Sequence, residues 1–289
     1  MRSDSYTHAT VTAPTVRARP RSSRFGYLSE LWARREFIWY SAFSDMRAKH
    51  ANTALGIGWW VLSPLLLGMV YLVVFGIILE TRRGDPNYIG FLISGLFAFT
   101  YTRELLTKGP RSIRSNGSII AARRFPRLVL PLSAVIQSAI GFAASLLPFF
   151  LIAGFTNGDW PGWHTLLILP IFVLQTLFNI GIATIFAQLI VPIPDIGEAM
   201  QFIGRVWLYT SPVIFPIEVR LKALSEAAFT VITIINPMVS ILGVWRGALL
   251  NRPVEAWMWY GSIGWSLLIF AVGVLTFAHN EDRLVRHVL

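Results

Sequence analysis

The chain has 289 residues, of which 54% are hydrophobic and only 14% are charged, and its mean hydropathy is +0.57. A soluble domain carries about 25% charged residues, so this composition indicates a membrane protein. The absence of cysteine excludes disulfides, zinc–cysteine sites and thiol nucleophiles. The formal net charge of +10 fits nucleic acid or an anionic membrane surface, and we favour the membrane because the positive residues lie in loops beside apolar segments.

The first 50 residues are predicted to lie outside the membrane core. Residues 1–26 are rich in Ser, Thr, Pro and Arg and lack the apolar run of a signal peptide, which predicts a disordered cytosolic tail. Residues 27–50 mix aromatic and charged side chains and are too charged to span. They predict an amphipathic helix in the membrane interface, with Trp32, Arg34, Arg35 and Trp39 as its characteristic residues.

Residues 51–280 are predicted to form a transmembrane domain with six spans. The first span, residues 57–79, contains no charged side chain, and a helix needs about 20 such residues to cross a bilayer core of about 30 Å. A basic segment precedes it and a polar segment follows it, which predicts that it starts in the cytosol. The predicted spans are residues 57–79, 88–106, 128–155, 165–191, 199–217 and 257–278, followed by a cytosolic tail at 281–289.

The loop at residues 107–127 carries the strongest signal for orientation. It contains six basic residues and no acidic one, and cytosolic loops are enriched in Lys and Arg. Nine basic residues precede the first span, whereas six lie in segments predicted to face outward, with Arg246 counted among them. This distribution predicts that both termini are cytosolic.

Residues 218–255 are compatible with two arrangements. The stretch 227–250 is apolar, but Asn236-Pro237 interrupts it and Arg246 lies in its second half. A seventh full span would place Arg283 and Arg286 outside the cytosol, against the usual charge bias. Two half-helices that enter from outside would bury the interruption in protein. We therefore expect a re-entrant helical hairpin between spans 5 and 6.

Several short motifs resemble those of ABC-2 type exporter permeases. They are Trp59-Trp60, Pro64-Leu65 and Val74-Phe75-Gly76 in the first span, Tyr209-Thr210-Ser211-Pro212-Val213 at the end of the fifth, and Asn236-Pro237 followed by Arg246. The chain resembles most the branch that exports lipid-linked polysaccharides such as O-antigens, teichoic acids and mycobacterial galactan. The resemblance extends over about residues 27–280 and implies the ABC-2 permease fold: an all-α integral membrane protein with six transmembrane helices, an N-terminal interface helix and a re-entrant hairpin.

The same resemblance implies a homodimer with a channel along its interface and two ATPase subunits beneath it. The interface helix would link the ATPase to the first span, although it could also be a plain membrane anchor. The loop between spans 2 and 3 would form the segment that couples to the ATPase, or it could be a basic loop that only sets topology. The residues implied for this coupling are Asn116, Ile119, Ile120, Arg123, Arg124 and Phe125.

Aromatic side chains in the spans are candidates for lining the channel. Their rigid faces can stack on the C–H faces of sugars, and conduction requires weak, repeated sites. The alternative for each ring is packing against lipid or other helices. The candidates are Tyr71, Phe97, Phe99, Tyr101, Phe202, Trp207 and Tyr209, with Arg205 as a candidate contact for a lipid phosphate or, alternatively, a side chain that extends to the interface.

Catalytic motifs are absent from the sequence. No stretch fits the P-loop pattern Gly-x-x-x-x-Gly-Lys-Ser/Thr, no His-Glu-x-x-His occurs, and no pair of carboxylates lies within a predicted span. We therefore expect a passive conduit in the bacterial inner membrane, without enzymatic activity, cofactor or nucleic-acid partner, while a partner ATPase binds ATP and Mg²⁺. The alternatives are an ABC-2 exporter of lipids or drugs, an intramembrane enzyme of glycan assembly, and a flippase without an ATPase.

Overall fold

The computed structural model describes residues 24–78, 87–116, 126–158, 160–193, 195–216 and 226–288, and within these ranges the chain is helical without any strand. A 3-10 turn precedes the third helix, a π-helical segment, Leu72–Ile78, follows it, and a second 3-10 turn leads into the sixth helix. The helices are α1 Arg24–Ala33, α2 Arg35–His50, α3 Trp59–Tyr71, α4 Tyr88–Arg114, α5 Val129–Asn157, α6 Ile168–Ile190, α7 Asp195–Thr210, α8 Glu226–Ile235, α9 Pro237–Leu249 and α10 Ala256–Val288.

Five helical segments in the described ranges are long and apolar enough to cross a membrane. They are Gly56–Ile78, Tyr88–Arg114, Val129–Thr156, Trp163–Ile190 and Ala256–Glu281. The prediction of an all-α integral membrane protein is thereby confirmed. At the fifth predicted span, residues 199–217, the described helix is α7, whose 16 residues extend for about 24 Å. Six spans and a re-entrant hairpin therefore stay predictions.

Contacts between side chains fix the directions of the long helices. Helices α4, α6 and α10 run parallel to one another, and α5 runs opposite to α4. We name the end of the bundle that contains the Glu281 side chain the Glu281 end, and the opposite end, which contains the Trp160 side chain, the Trp160 end. The pairs that establish these directions are Tyr101–Thr176 and Gly109–Ala183 for α4 and α6, Gly181–Ile269 and Gln188–Thr276 for α6 and α10, and Tyr101–Phe142 and Ser138–Glu104 for α4 and α5.

The N-terminal helices pack against the Glu281 end of the bundle. Leu31 and Ile38 belong to an apolar cluster that also contains Phe277 of α10. Along α2 the buried residues Ile38, Ala42 and Met46 recur every four positions, so they lie on one face of the helix. The predicted helix over residues 27–50 is interrupted by a turn at residue 34, so the amphipathic segment consists of two helices.

Helix α10 continues beyond the predicted last span, 257–278, to Val288. Glu281 is 6% exposed, accepts a hydrogen bond from the backbone N–H of Arg127 at 2.7 Å, and pairs with the Arg127 guanidinium at 3.5 Å. A carboxylate is buried at acceptable cost only with such partners. Glu281, the first residue of the predicted tail, therefore ties the end of α10 to the start of α5.

Helices α6 and α10 cross at two glycines. Gly181 lies against the backbone of Ile269, and Gly273 lies against the backbone of Gly181. A methyl group on Gly181 would overlap the Ile269 carbonyl group, which is backbone and cannot move aside. Small residues at such crossings allow membrane helices to pack by close backbone approach.

We predict that Gly181→Ala lowers the free energy of unfolding by about 2 kcal/mol or more, because overpacking at a rigid contact forces the helices apart. Unfolding of the detergent-solubilised protein by SDS, followed by circular dichroism, measures this change. The matched control is Gly264→Ala in α10, where an added Cβ has nothing within 4 Å. Equal stability of the two variants would contradict the proposed crossing.

Candidate functional site

The Asn236 side chain joins the start of α9 to the end of α7. Its Oδ1 accepts hydrogen bonds from the Trp207 indole N–H at 3.0 Å and from the Met238 backbone N–H at 3.1 Å. Its Nδ2 donates to the Ser211 hydroxyl at 3.0 Å and to the Thr210 carbonyl at 3.3 Å. The amide therefore caps α9 and, with the same four contacts, holds the turn that follows α7.

Arg246 of α9 reaches the same turn from the other side. Its guanidinium donates to the carbonyl oxygens of Pro212, of Val213 at 3.3 Å and of Phe91 at 3.4 Å, and it lies 3.4 Å from the centre of the Phe91 ring. Arg246 is only 8% exposed, so this charge is buried within the bundle and does not lie in an exposed loop. We name Asn236 and Arg246 together the Asn236–Arg246 clamp.

The clamp brings together two sequence motifs that lie more than 20 residues apart. Ser211-Pro212-Val213 supplies the carbonyl and hydroxyl acceptors, and Asn236 with Arg246 supplies the donors. Since Phe91 belongs to α4, the contacts also join α4 to α7 and α9. The clamp therefore fixes how α7 sits on the bundle.

Helix α7 presents one exposed stripe and one packed face. Phe202 and Tyr209 are each 63% exposed, and Arg205 and Val206 lie between them on the same side. The Arg205 Nε donates to the Gln201 carbonyl of its own helix at 3.4 Å, while the residue as a whole is exposed. Three of the predicted candidates thus form one surface, which we name the α7 stripe: Phe202, Arg205, Val206 and Tyr209.

The other predicted channel aromatics lie elsewhere. Phe99 is fully buried and meets the half-buried Trp207 edge to face at 5.6 Å, so both rings pack within the protomer. Tyr71 stacks on Phe75 at 5.8 Å. Phe97 and Tyr101 face a cavity inside the bundle, described next.

A cavity of about 310 Å³ lies between α3, α4 and α5. Five aromatic rings contribute to its wall: Trp59, Trp60, Phe97, Tyr101 and Phe142. The Tyr101 and Phe142 rings are stacked at 5.2 Å with an angle of 7° between their planes. The cavity begins at the first turn of α3 and reaches the middle of α5, and its polar residues Glu104, Lys108 and Gln137 lie on the side nearer the Glu281 end.

The polar part of the cavity wall contains an ion pair. Glu104 and Lys108 pair along α4, the Ser138 hydroxyl donates to Glu104 at 3.2 Å, and Lys108 donates to the Ser138 oxygen at 3.4 Å. Gln137 also lines this part of the wall. This ion pair was not predicted from the sequence, although the spacing of four residues between Glu104 and Lys108 is typical of a helical ion pair.

Among the remaining predicted residues, those that the structure describes lie at the Glu281 end. Asn116 is the last described residue of the proposed coupling segment, and its Nδ2 donates to the Ser112 carbonyl at 2.8 Å. Trp32 is 71% exposed, and the Arg35 guanidinium lies 5.5 Å from the centre of its ring. Arg34 occupies the turn between α1 and α2, and the Trp39 ring stacks on Phe43 at 6.0 Å. The other proposed coupling residues lie outside the described residues: Ile119, Ile120, Arg123, Arg124 and Phe125.

No protein-family model matches the chain. The chain is 28% identical over 198 residues to the O-antigen export system permease protein RfbA of Myxococcus xanthus, which covers 68% of this chain and 74% of that protein. It is 27% identical over 208 residues to a protein of the same name from Klebsiella pneumoniae, which covers 72% of this chain and 77% of that protein. The resemblance to polysaccharide export permeases is confirmed.

These relatives carry the name of a transport subunit rather than of an enzyme. The matched relatives and the apolar helices agree that the chain is a multi-pass membrane protein. Among the residues that the structure describes, no three His, Cys, Asp or Glu side chains are grouped closely enough to hold a metal ion.

We predict that Arg246→Met lowers the free energy of unfolding by about 3 kcal/mol, because it leaves the carbonyl groups of Phe91, Pro212 and Val213 without their charged donor. Arg205→Met in the exposed α7 stripe is the matched control and should change stability by less than about 0.5 kcal/mol. SDS unfolding of the two variants in the same detergent provides the measurement. A similar loss in both would show that the clamp does not hold the fold.

Proposed function

We propose that the chain is the membrane-spanning subunit of an ATP-driven ABC exporter that moves a lipid-linked polysaccharide from the cytosol across the bacterial inner membrane. The observation that carries this proposal is the similarity to the two O-antigen export permeases over about 70% of the chain. The sequence has no P-loop, so ATP and Mg²⁺ would be bound by two copies of a separate ATPase subunit.

Two copies of the chain form the transport channel along their interface in this proposal. The α7 stripe supports this placement because it contains Arg205, and a charged side chain that faces lipid within the hydrocarbon core is costly. Facing a water-filled passage removes that cost. Phe202 and Tyr209 would then present their rings to passing sugars, and Arg205 would contact the phosphate of the lipid anchor.

The helix directions support a topology with both termini in the cytosol. Helices α4, α6 and α10 all end at the Glu281 end, where α1 and α2 also pack. Lys108, Arg111 and Arg114, three of the six basic residues of the segment 107–127, lie in the last two turns of α4 at this end, so the positive-inside rule assigns the Glu281 end to the cytosol. Helix α7 runs opposite to α4, since Gly204 packs on Arg103 and Trp207 on Phe99, and it supplies the sixth crossing.

A re-entrant hairpin of α8 and α9 is the second part of the proposed topology. The turn between them lies beside the first third of α10, because the Trp265 indole N–H donates to the Ile234 carbonyl at 3.0 Å. Trp265 is nine residues into α10, or about 14 Å from its start. From that depth α9 returns toward the Trp160 end, where the Asn251 amide donates to the Trp160 carbonyl at 3.0 Å.

Coupling to the ATPase would act at the Glu281 end. Binding of ATP would push on the segment 107–127 and on the interface helices α1 and α2, and would thereby separate the two protomers at the α7 stripe. The extension of α4 to Arg114, eight residues past the predicted span end at residue 106, supports a rigid link between that segment and the membrane core.

We predict that the chain co-purifies with an ABC ATPase from its own cell, and that the double substitution R123E and R124E weakens this complex at least about tenfold, because it reverses two charges in the proposed docking loop. The matched control is R82E with R83E, an adjacent arginine pair that the topology places on the other side of the membrane. Pull-down of the ATPase at equal permease levels measures the association. Unchanged recovery with R123E and R124E would contradict the assigned docking loop.

A further inference from the structure

The cavity between α3, α4 and α5 is separate from the α7 stripe, and the size and chemistry of its wall match a small ligand. Its volume of about 310 Å³ is at the lower end of the range for small-molecule sites, about 300 to 1,000 Å³. Its polar residues Glu104, Lys108 and Gln137 lie toward the Glu281 end, the side from which the proposed substrate approaches.

Flat aromatic rings form opposite parts of the wall. The stacked rings of Tyr101 and Phe142 lie on one side, and Trp60 lies against Gly141 on another. A Cβ at Gly141 would be 3.5 Å from the Trp60 ring, so the glycine lets the indole lie close to α5 without occupying the space itself. Tyr101 and Phe142 cover each other's faces and are buried, so the half-buried Trp60 offers the broad, rigid face of this wall.

The polar groups supply both donors and acceptors without a net charge. Glu104 and Lys108 neutralise each other, and Ser138 is hydrogen-bonded to both. The Gln137 amide, which lines the cavity, has no hydrogen-bond partner within the described part of the chain. A phosphate would meet the Glu104 carboxylate and find the one lysine already paired, while an acyl chain would leave the amide unsatisfied. Sugar hydroxyl groups satisfy both requirements.

From these observations we propose that the cavity is a binding site for one neutral sugar residue of the transported glycan, distinct from the channel surface on α7. Trp60 stacks on its C–H face, the edges of the Tyr101–Phe142 stack border it, and Gln137, Glu104 and Ser138 bond its hydroxyl groups. The site rests on the proposed function, since a glycan must reach this subunit for the cavity to serve it.

Two substitutions block the site by different means. Gly141→Leu fills the cavity beside Trp60, and Gln137→Leu removes the free amide at nearly constant volume. Each has a matched control outside the cavity. Gly264→Leu adds the same side chain where nothing lies within 4 Å, and Gln201→Leu makes the same exchange on the exposed side of α7.

The test uses the full chain in lipid nanodiscs, labelled with 5-fluorotryptophan and observed by ¹⁹F NMR. Trp59→Phe and Trp60→Phe assign the two cavity resonances, and the exposed Trp163 at the other end of the bundle is the internal reference. The probes are maltotriose, mannotriose and galactotriose. We expect at least one sugar to shift the Trp59 and Trp60 resonances saturably, with affinity about tenfold or more weaker in Gly141→Leu and Gln137→Leu and unchanged in both controls.

Three results would overturn the sugar site. The first is that none of the three sugars moves either resonance. The second is that a doxyl-labelled phospholipid broadens both resonances while the sugars have no effect, which would show an acyl chain in the cavity. The third is that inorganic pyrophosphate shifts them and the sugars do not. Each result leaves the proposed function standing if the unmodified chain still exports glycan with its ATPase, whereas sugar binding without any export would overturn the proposed function.

Discussion

A buried guanidinium is the constraint on which the arrangement of this protein depends. Arg246 lies inside an apolar helix bundle, and a charge in that position is stable only if fixed dipoles replace water around it. The carbonyl groups of α4 and of the turn after α7 do so, with the Phe91 ring beneath. The Asn236 side chain makes further hydrogen bonds to the same turn. The position of α7, and with it the α7 stripe, follows from these contacts.

The remaining helices divide into a packed core and a peripheral part. In the most apolar 18-residue stretch of α4, 78% is buried within the protomer, whereas in the corresponding stretch of Gly56–Ile78 only 6% is buried. The glycine crossing of α6 and α10 belongs to the core, and the cavity lies where the core meets the peripheral α3. A second copy, lipid and substrate therefore have α3 and the α7 stripe available to them, while α4 lies in the packed interior.

Structural features that depend on hydrophobic periodicity and local charge were predicted well from the sequence. The apolar runs located the long helices. Features that depend on tertiary contacts were not predicted: the break at residue 34, the burial of Arg246 and the cavity. The cavity wall combines residues of three helices, and the sequence alone does not show how those helices pack together. Phe97 and Phe99 look alike in sequence, and only packing assigns one to the cavity and the other to the interior.

The central claim is that two copies of this chain form a conduit that another protein drives. The most direct measurement reconstitutes the purified chain into sealed vesicles with a lipid-linked glycan in the outer leaflet, with and without the partner ATPase and ATP. The account predicts transfer of the glycan to the lumen only when ATPase and ATP are both present. Transfer by this chain alone would contradict it.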